Sequence, residues 1–262
     1  MPLIVWLAGW AAGIGVNLLA DSLPFHRRPG RMHCPGCGSR RNWAAHSGLL
    51  ALLTGQRRCA YCAHGMGWRP VCVEAMCIAG AAWLLLRDPQ PWALLRDGLI
   101  LAVYLLIVVI DIEHRLILFA VSIPAIVGVA IVQSLDPNRG PAKTLLGGLA
   151  GFLAFYLLYY LGVLFTRFLG RARRQPIDEV AFGFGDVMLA TLIGVTVGWP
   201  GVVVALFLGI LAAGLFSLVY VLVMLARRRY TAFLPIPYGP FLVLGGLLVY
   251  FGGRTAFERL VG

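Results

Sequence analysis

Charge is what this chain has least of. Only 13% of its 262 residues are Asp, Glu, Lys or Arg, and 60% are hydrophobic. A soluble domain carries about a quarter charged residues, so an ordinary soluble fold is excluded. The alternating apolar–polar pattern of a membrane β-barrel is also missing, which disfavours a closed barrel. Basic residues are absent from the start of the chain. The first apolar run passes into "NLLADSLP" (17–24) without a clear small-residue cleavage site. That run is expected to be a retained span rather than a cleaved signal peptide.

What remains is apolar helix. Mean hydropathy is +0.84, and windows of the length that crosses a hydrocarbon core of about 30 Å repeat along most of the sequence. The pattern predicts an all-α polytopic membrane protein. About eight spans are expected, near 3–20, 71–86, 98–110, 117–134, 145–166, 187–199, 201–225 and 239–252. Three regions follow: a first transmembrane helix (1–20), an extramembrane loop (21–70) and a transmembrane core (71–262).

The net charge of +11 is a topology signal rather than a sign of nucleic acid. With the N-terminus outside, the inner segments 21–70, 111–116, 167–186 and 226–238 hold sixteen of the 22 Lys and Arg residues. This bias matches the positive-inside rule and predicts both termini outside.

The 21–70 loop contains "CPGC" (34–37) and "CAYC" (59–62). Two C-x2-C pairs offer four thiolates at a spacing that suits a tetrahedral structural zinc site. A redox pair and unliganded thiols are the alternatives. The loop falls on the reducing side, which disfavours disulfides. Cys34, Cys37, Cys59 and Cys62 are the candidate ligands. His33 and His64 adjoin them, while Cys72 and Cys77 read as buried packing residues of the second span. A loop this small would draw much of its folding energy from the metal.

Eleven acids are few enough to place one by one. Asp21, Asp88, Asp97, Asp136, Asp178, Glu179 and Glu258 fall in loops or at span ends, where solvation is expected. Glu74, Asp111, Glu113 and Asp186 lie in or against apolar spans, where a carboxylate is costly and marks function by default. Asp111 ends the third span, and Asp186 closes "GFGD" (183–186) at the start of the sixth. Both fall at the same membrane boundary. Two carboxylates that meet there share a proton, so that one can activate water while the other polarises a peptide carbonyl. The alternative is that both snorkel to the interface and pair with Arg115 and its neighbours.

Taken together these segments resemble the type IV prepilin peptidase family of GxGD membrane aspartic proteases. The resemblance runs through "GVNLLADSLP" (15–24), the cysteine loop, "RPVCVEAM" (69–76), "IDIEHRLI" (110–117), "EVAFGFGDVML" (179–189) and "IPYGPFL" (236–242). It implies that Asp111 and Asp186 are the catalytic pair and that Glu113 is not. It also implies leader cleavage of a membrane-anchored prepilin or pseudopilin on the cytoplasmic side. By the same resemblance the new N-terminus is then methylated with S-adenosylmethionine. The setting it implies is a bacterial inner membrane serving a type IV pilus or type II secretion system. No G-x-G-x-x-G separates a strand from a helix, so the methyl donor's site is not readable from a motif. Glu74 is the candidate for that site, as a carboxylate taking the amine's proton. Leu118 stands where many members carry Pro, and Met188 where Lys often follows. The rival readings are a GxGD protease of other membrane helices, a peptidase without methylation, and an ion-coupled transporter. The transporter needs further polar lining and leaves the cysteines unexplained.

Overall fold

The structure, a computed structural model, describes residues 2–25, 34, 36–39, 46–136, 139–173, 183–228 and 237–256. His33, Asp178, Glu179 and Glu258 lie outside them. Among the described residues there is no strand. Nine α-helices follow in order: α1 (Pro2–Ser22), α2 (Gly48–Leu53), α3 (Arg69–Arg87), α4 (Pro91–His114), α5 (Phe119–Ser134), α6 (Gly140–Arg173), α7 (Phe184–Val197), α8 (Gly201–Ala226) and α9 (Gly239–Ala256). All but α2 coincide with an expected span. Proline opens five of them at the first or second position (Pro2, Pro70, Pro91, Pro141, Pro240), where its missing N–H costs nothing.

Five helices are long and apolar enough to cross a membrane, while α5, α7 and α9 are shorter apolar helices. The 14 residues of α7 rise only about 21 Å at 1.5 Å per residue, less than the hydrocarbon core. At least one of its ends therefore lies within the apolar thickness. Helix α6 runs 34 residues and carries Arg167, Arg171 and Arg173 on its last turns, a stretch expected to be loop.

The chain forms two compact units, Met1–Ile110 and Asp111–Gly262. In the first, α1 packs on α3 through small residues: a Cβ at Gly9 would sit 2.8 Å from the Ala81 Cβ, and one at Gly13 2.7 Å from the Glu74 Cα. Two expectations change here. Asp97 is not solvated at a span end; it lies inside α4, 7% exposed, with the Arg96 Nε 2.7 Å from its Oδ1. The early helix start at Pro91 brings both residues into the apolar stretch, and pairing makes their burial tolerable. Cys72 is exposed and Cys77 half-buried, because the inward face of α3 is taken by Val73 and Glu74.

In the second unit, α7 is the central element, touching α5, α6, α8 and α9. It is apolar all round, as a fully surrounded helix must be, and eight of its residues are buried. Its tightest neighbour is α6, where "GGLAG" (147–151) meets Ala190 and Gly194. A Cβ at Gly194 would lie 2.2 Å from the Gly147 carbonyl oxygen, and one at Gly151 2.3 Å from that of Ala190. Small residues four apart are the usual means of close helix approach in lipid, where packing replaces the hydrophobic drive. At its far end, the Gln133 side-chain amide donates to the Thr196 carbonyl at 3.1 Å, as does Arg139, so the last turn of α7 is held by polar groups.

Gly194→Val should force α6 and α7 apart and lower stability by about 3 kcal/mol, the upper range for overpacking. Thermal unfolding of the detergent-solubilised protein measures this, and an unchanged midpoint would disprove the contact.

Candidate active site and metal centre

The second unit brings Asp111 and Asp186 together. Helix α4 passes through Asp111 and ends at His114 because Arg115 adopts a left-handed conformation, φ 55°, with its N–H donating to the Asp111 carbonyl at 2.8 Å. The chain then turns through Ile117 to α5. Gly185 packs on that turn so closely that a Cβ there would be 2.8 Å from the Ile117 Cβ. The glycine of "GFGD" is thus needed for the start of α7 to reach the end of α4. Phe184 is wedged between Phe119 and Tyr159, with ring centroids 5.9 and 5.7 Å away.

Each carboxylate is received by a backbone N–H at a helix start. Asp186, in the first turn of α7, turns back to accept from the Gly183 N–H at 3.1 Å, while its own N–H donates to the Gly183 carbonyl. Asp111 is 6% exposed and accepts at Oδ2 from the Gly239 N–H, the first residue of α9, at 3.0 Å. Positive partial charge at a helix N-terminus favours a carboxylate there. The two acids are within electrostatic reach of each other. Among the described residues no hydrogen bond reaches Oδ1 of either, so each keeps an oxygen for a water or a carbonyl. The paired acids therefore have the parts needed for general acid–base attack of water on a peptide bond.

Two neighbours carry no role that the sequence alone assigns. Gly239 admits Asp111 because a Cβ there would fall 2.6 Å from Oδ2. Tyr238 lies within electrostatic reach of Asp186, and burial, then the Asp186 charge, pushes its hydroxyl up to about 12. Both belong to "IPYGPFL", a segment that carries the family resemblance but whose spacing gives no link to Asp111. Glu113 points elsewhere, more exposed, with the His114 Nε2 at 4.0 Å. Leu118 sits at φ −80°, ψ 128° before α5, within the range that Pro would impose, so the turn keeps its shape without it.

The first unit holds the cysteines. The Sγ atoms of Cys34, Cys37, Cys59 and Cys62 all lie within 4.8 Å of one another, with Cys34–Cys62 at 3.4 Å and Cys37–Cys59 at 3.7 Å. Tetrahedral zinc with bonds of about 2.3 Å requires sulfurs about 3.8 Å apart, so the set fits that ion. The two halves repeat one turn. The fourth residue after the first Cys donates its N–H to that Cys carbonyl, as Gly38 to Cys34 at 2.8 Å and Ala63 to Cys59 at 3.0 Å. Both are left-handed, φ 69° and 56°. The Ser39 hydroxyl and the Tyr61 and Cys62 amides pull the Cys59 thiol down to about 5. Against the backbone bond from His64, Cys34 and Cys37 drive Cys62 up to about 12. Crowded thiols that share protons this way are suited to a cation in their midst.

Glu74 also belongs to the first unit. It is 0% exposed, and its oxygens accept from the Ser47 hydroxyl at 2.6 Å, the Gly48 N–H at 2.6 Å, the Trp10 Nε1 at 3.0 Å and the Leu49 N–H at 3.1 Å.

The type IV leader peptidase family model matches residues 98–218, a stretch that contains both aspartates. Over that stretch the chain is similar to the type IV leader peptidase family. Relatives named prepilin leader peptidase/N-methyltransferase align over most of it. The protein of Burkholderia pseudomallei strain 1026b is 27% identical over 98% of this chain and 79% of its own length. That of Aeromonas salmonicida strain A449 is 24% identical over 86% of this chain and 72% of its own length. That of Stutzerimonas stutzeri is 27% identical over 92% and 75%. No solved structure matches the chain.

Ala63 carries a left-handed penalty that Gly38 avoids. Ala63→Gly should therefore stabilise the second cysteine turn by about 1 kcal/mol, seen as slower tryptic cutting after the exposed Arg58; faster cutting would contradict the backbone geometry.

Proposed function

We propose that this protein is a multi-pass inner-membrane aspartic endopeptidase. It removes the leader of type IV prepilins or pseudopilins at the cytoplasmic face and then methylates the new N-terminus with S-adenosylmethionine. The observation that carries the peptidase reading is the meeting of Asp111 and Asp186 at the starts of α9 and α7. The charge bias supports a cytoplasmic setting for the aspartates and for loop 21–70, with both termini outside.

Close carboxylates titrate as a pair, with one proton between them. The ionised member takes a proton from a water whose oxygen adds to the scissile carbonyl carbon. The protonated member donates to the carbonyl oxygen. Collapse of the tetrahedral diol breaks the C–N bond: the protonated acid gives its proton to the leaving nitrogen while the other takes one from a diol hydroxyl, so the pair regains its single proton. The backbone bonds from Gly239 and Gly183 hold one oxygen of each acid still. The geometry is therefore set before substrate arrives, which is where much of the rate gain lies.

Methyl transfer follows cleavage, because it needs a free, neutral amine. S-adenosylmethionine supplies the electrophilic methyl group. The zinc-binding loop 21–70, closed by Cys34, Cys37, Cys59 and Cys62, serves that second activity as a structural element, and residues 71–262 carry the peptidase. Glu74 supports methyl transfer from within the first unit.

Asp111→Asn and Asp186→Asn should each lower leader cleavage by about a thousandfold while the protein stays folded, and Glu113→Gln should lose little. Gly239→Ala should cost about a hundredfold in kcat by displacing Asp111. Product masses from a purified prepilin read all four, and an active Asp111→Asn beside an inactive Glu113→Gln would move the dyad. Asp186→Asn should still add one methyl group to a pre-cut pilin; no gain in a folded protein would tie both reactions to one site.

Elemental analysis should find one zinc per chain, lost in a Cys34→Ser/Cys59→Ser double variant. Unchanged metal in that variant would refute the ligand set.

A further inference from the structure

The second cysteine turn is an excursion between two helices that one side chain binds together. From α2 the chain runs to Cys59 and returns to α3 as a short antiparallel stem. Arg58 bridges Gly65, the Met66 N–H donates to the Arg57 carbonyl at 2.7 Å, and the Arg57 guanidinium lies 4.0 Å over the Trp68 ring. Both ends of this excursion meet at Glu74. The carboxylate sits on the second turn of α3 and takes the Ser47, Gly48 and Leu49 donors from the start of α2, with Trp10 of α1 as the fourth. Gly48 makes the approach possible, since a Cβ there would lie 2.5 Å from the Val71 nitrogen. Asn17 of α1 anchors the same turn of α3 by donating to the Pro70 carbonyl at 3.1 Å.

Four donors hold Glu74: the Ser47 hydroxyl, the Trp10 Nε1 and the Leu49 N–H on Oε2, and the Gly48 N–H on Oε1. With both oxygens engaged and the residue 0% exposed, the carboxylate is closed off from an amine or a polar donor molecule. We infer that Glu74 is a positioning residue, a latch that fixes the stem of the Cys59–Cys62 turn onto α1 and α3. On this account methyl transfer depends on Glu74 through the placement of the loop and not through contact with the methyl donor. The inference rests on the proposed methyl transfer for its consequence but not for its geometry.

The test uses full-length wild type, Glu74→Gln, Ser47→Ala and Ser47→Thr in lipid nanodiscs. Three rates are measured on each: tryptic cutting after Arg58, leader cleavage of a prepilin, and methylation of a pre-cut pilin. Glu74→Gln places an NH2 among donors, and Ser47→Ala removes one donor. Each should raise Arg58 cutting about tenfold and lower methylation in parallel, the loss of one charged hydrogen bond in a locally opening segment. Leader cleavage should stay near wild type and reports that the protein is folded. Ser47→Thr keeps the hydroxyl and should restore both protection and methylation. The latch is overturned if Arg58 cutting is unchanged in Glu74→Gln and Ser47→Ala. It is also overturned if Ser47→Ala loosens the loop yet methylates normally while Glu74→Gln does not, which would make Glu74 a direct participant. If wild type cleaves but never methylates, the methyl-transfer reading fails, and the Arg58 rates alone decide the latch.

Discussion

A carboxylate enclosed by apolar helices must find its hydrogen-bond donors inside the protein, because lipid supplies none and an unpaired buried charge is costly. Asp111, Asp186 and Glu74 meet that requirement in the same way. Each accepts from the N–H of a glycine at the start of a helix: Gly239, Gly183 and Gly48. Helix starts are the places in such a fold where backbone N–H groups lack partners of their own. Glycine lets the carboxylate approach, most clearly at Gly239 and Gly48, where a Cβ would collide. The acids and the helix starts thus satisfy each other, and two of these bonds tie separate helices together, α2 to Glu74 and α9 to Asp111.

The difference between the three lies in what is left over. Glu74 is used on both oxygens, so its role is to hold. Asp111 and Asp186 are each engaged on one oxygen by a backbone donor, so a second oxygen on each remains for chemistry. Rigid support of half a carboxylate combined with freedom of the other half is what water activation demands. The same rule separates a structural acid from a reactive pair without appeal to their sequence neighbourhood.

Close helix contact does the remaining positioning. The α6–α7 seam of Gly147, Gly151, Ala190 and Gly194 sets α7 at the centre of its unit, and Gln133 and Arg139 hold its last carbonyls. A helix of 14 residues is too short to be placed by the bilayer alone, so its location depends on these neighbours. Asp186 at its first turn inherits that placement. The cysteine turns are built differently, with little apolar core and two matching left-handed residues, Gly38 and Ala63. There the four sulfurs and the Glu74 latch do what side-chain packing does elsewhere.

Features that depend on local composition are legible in the amino-acid sequence by itself. Eight apolar helices appear where eight apolar windows lie, since spanning is decided by length and hydropathy. The four sulfurs converge as two C-x2-C pairs imply, and both suspected aspartates come together. Other features belong to the tertiary structure alone. Asp97 reads as a solvated end residue and is buried beside Arg96; Glu74 reads as a candidate base and is buried with donors on both oxygens. Gly239 holds Asp111 across 128 residues of chain. Periodicity and spacing report on neighbours along the chain, within a few turns of helix. Which glycine N–H faces which carboxylate depends on how helices far apart in sequence pack, and only the folded bundle decides that.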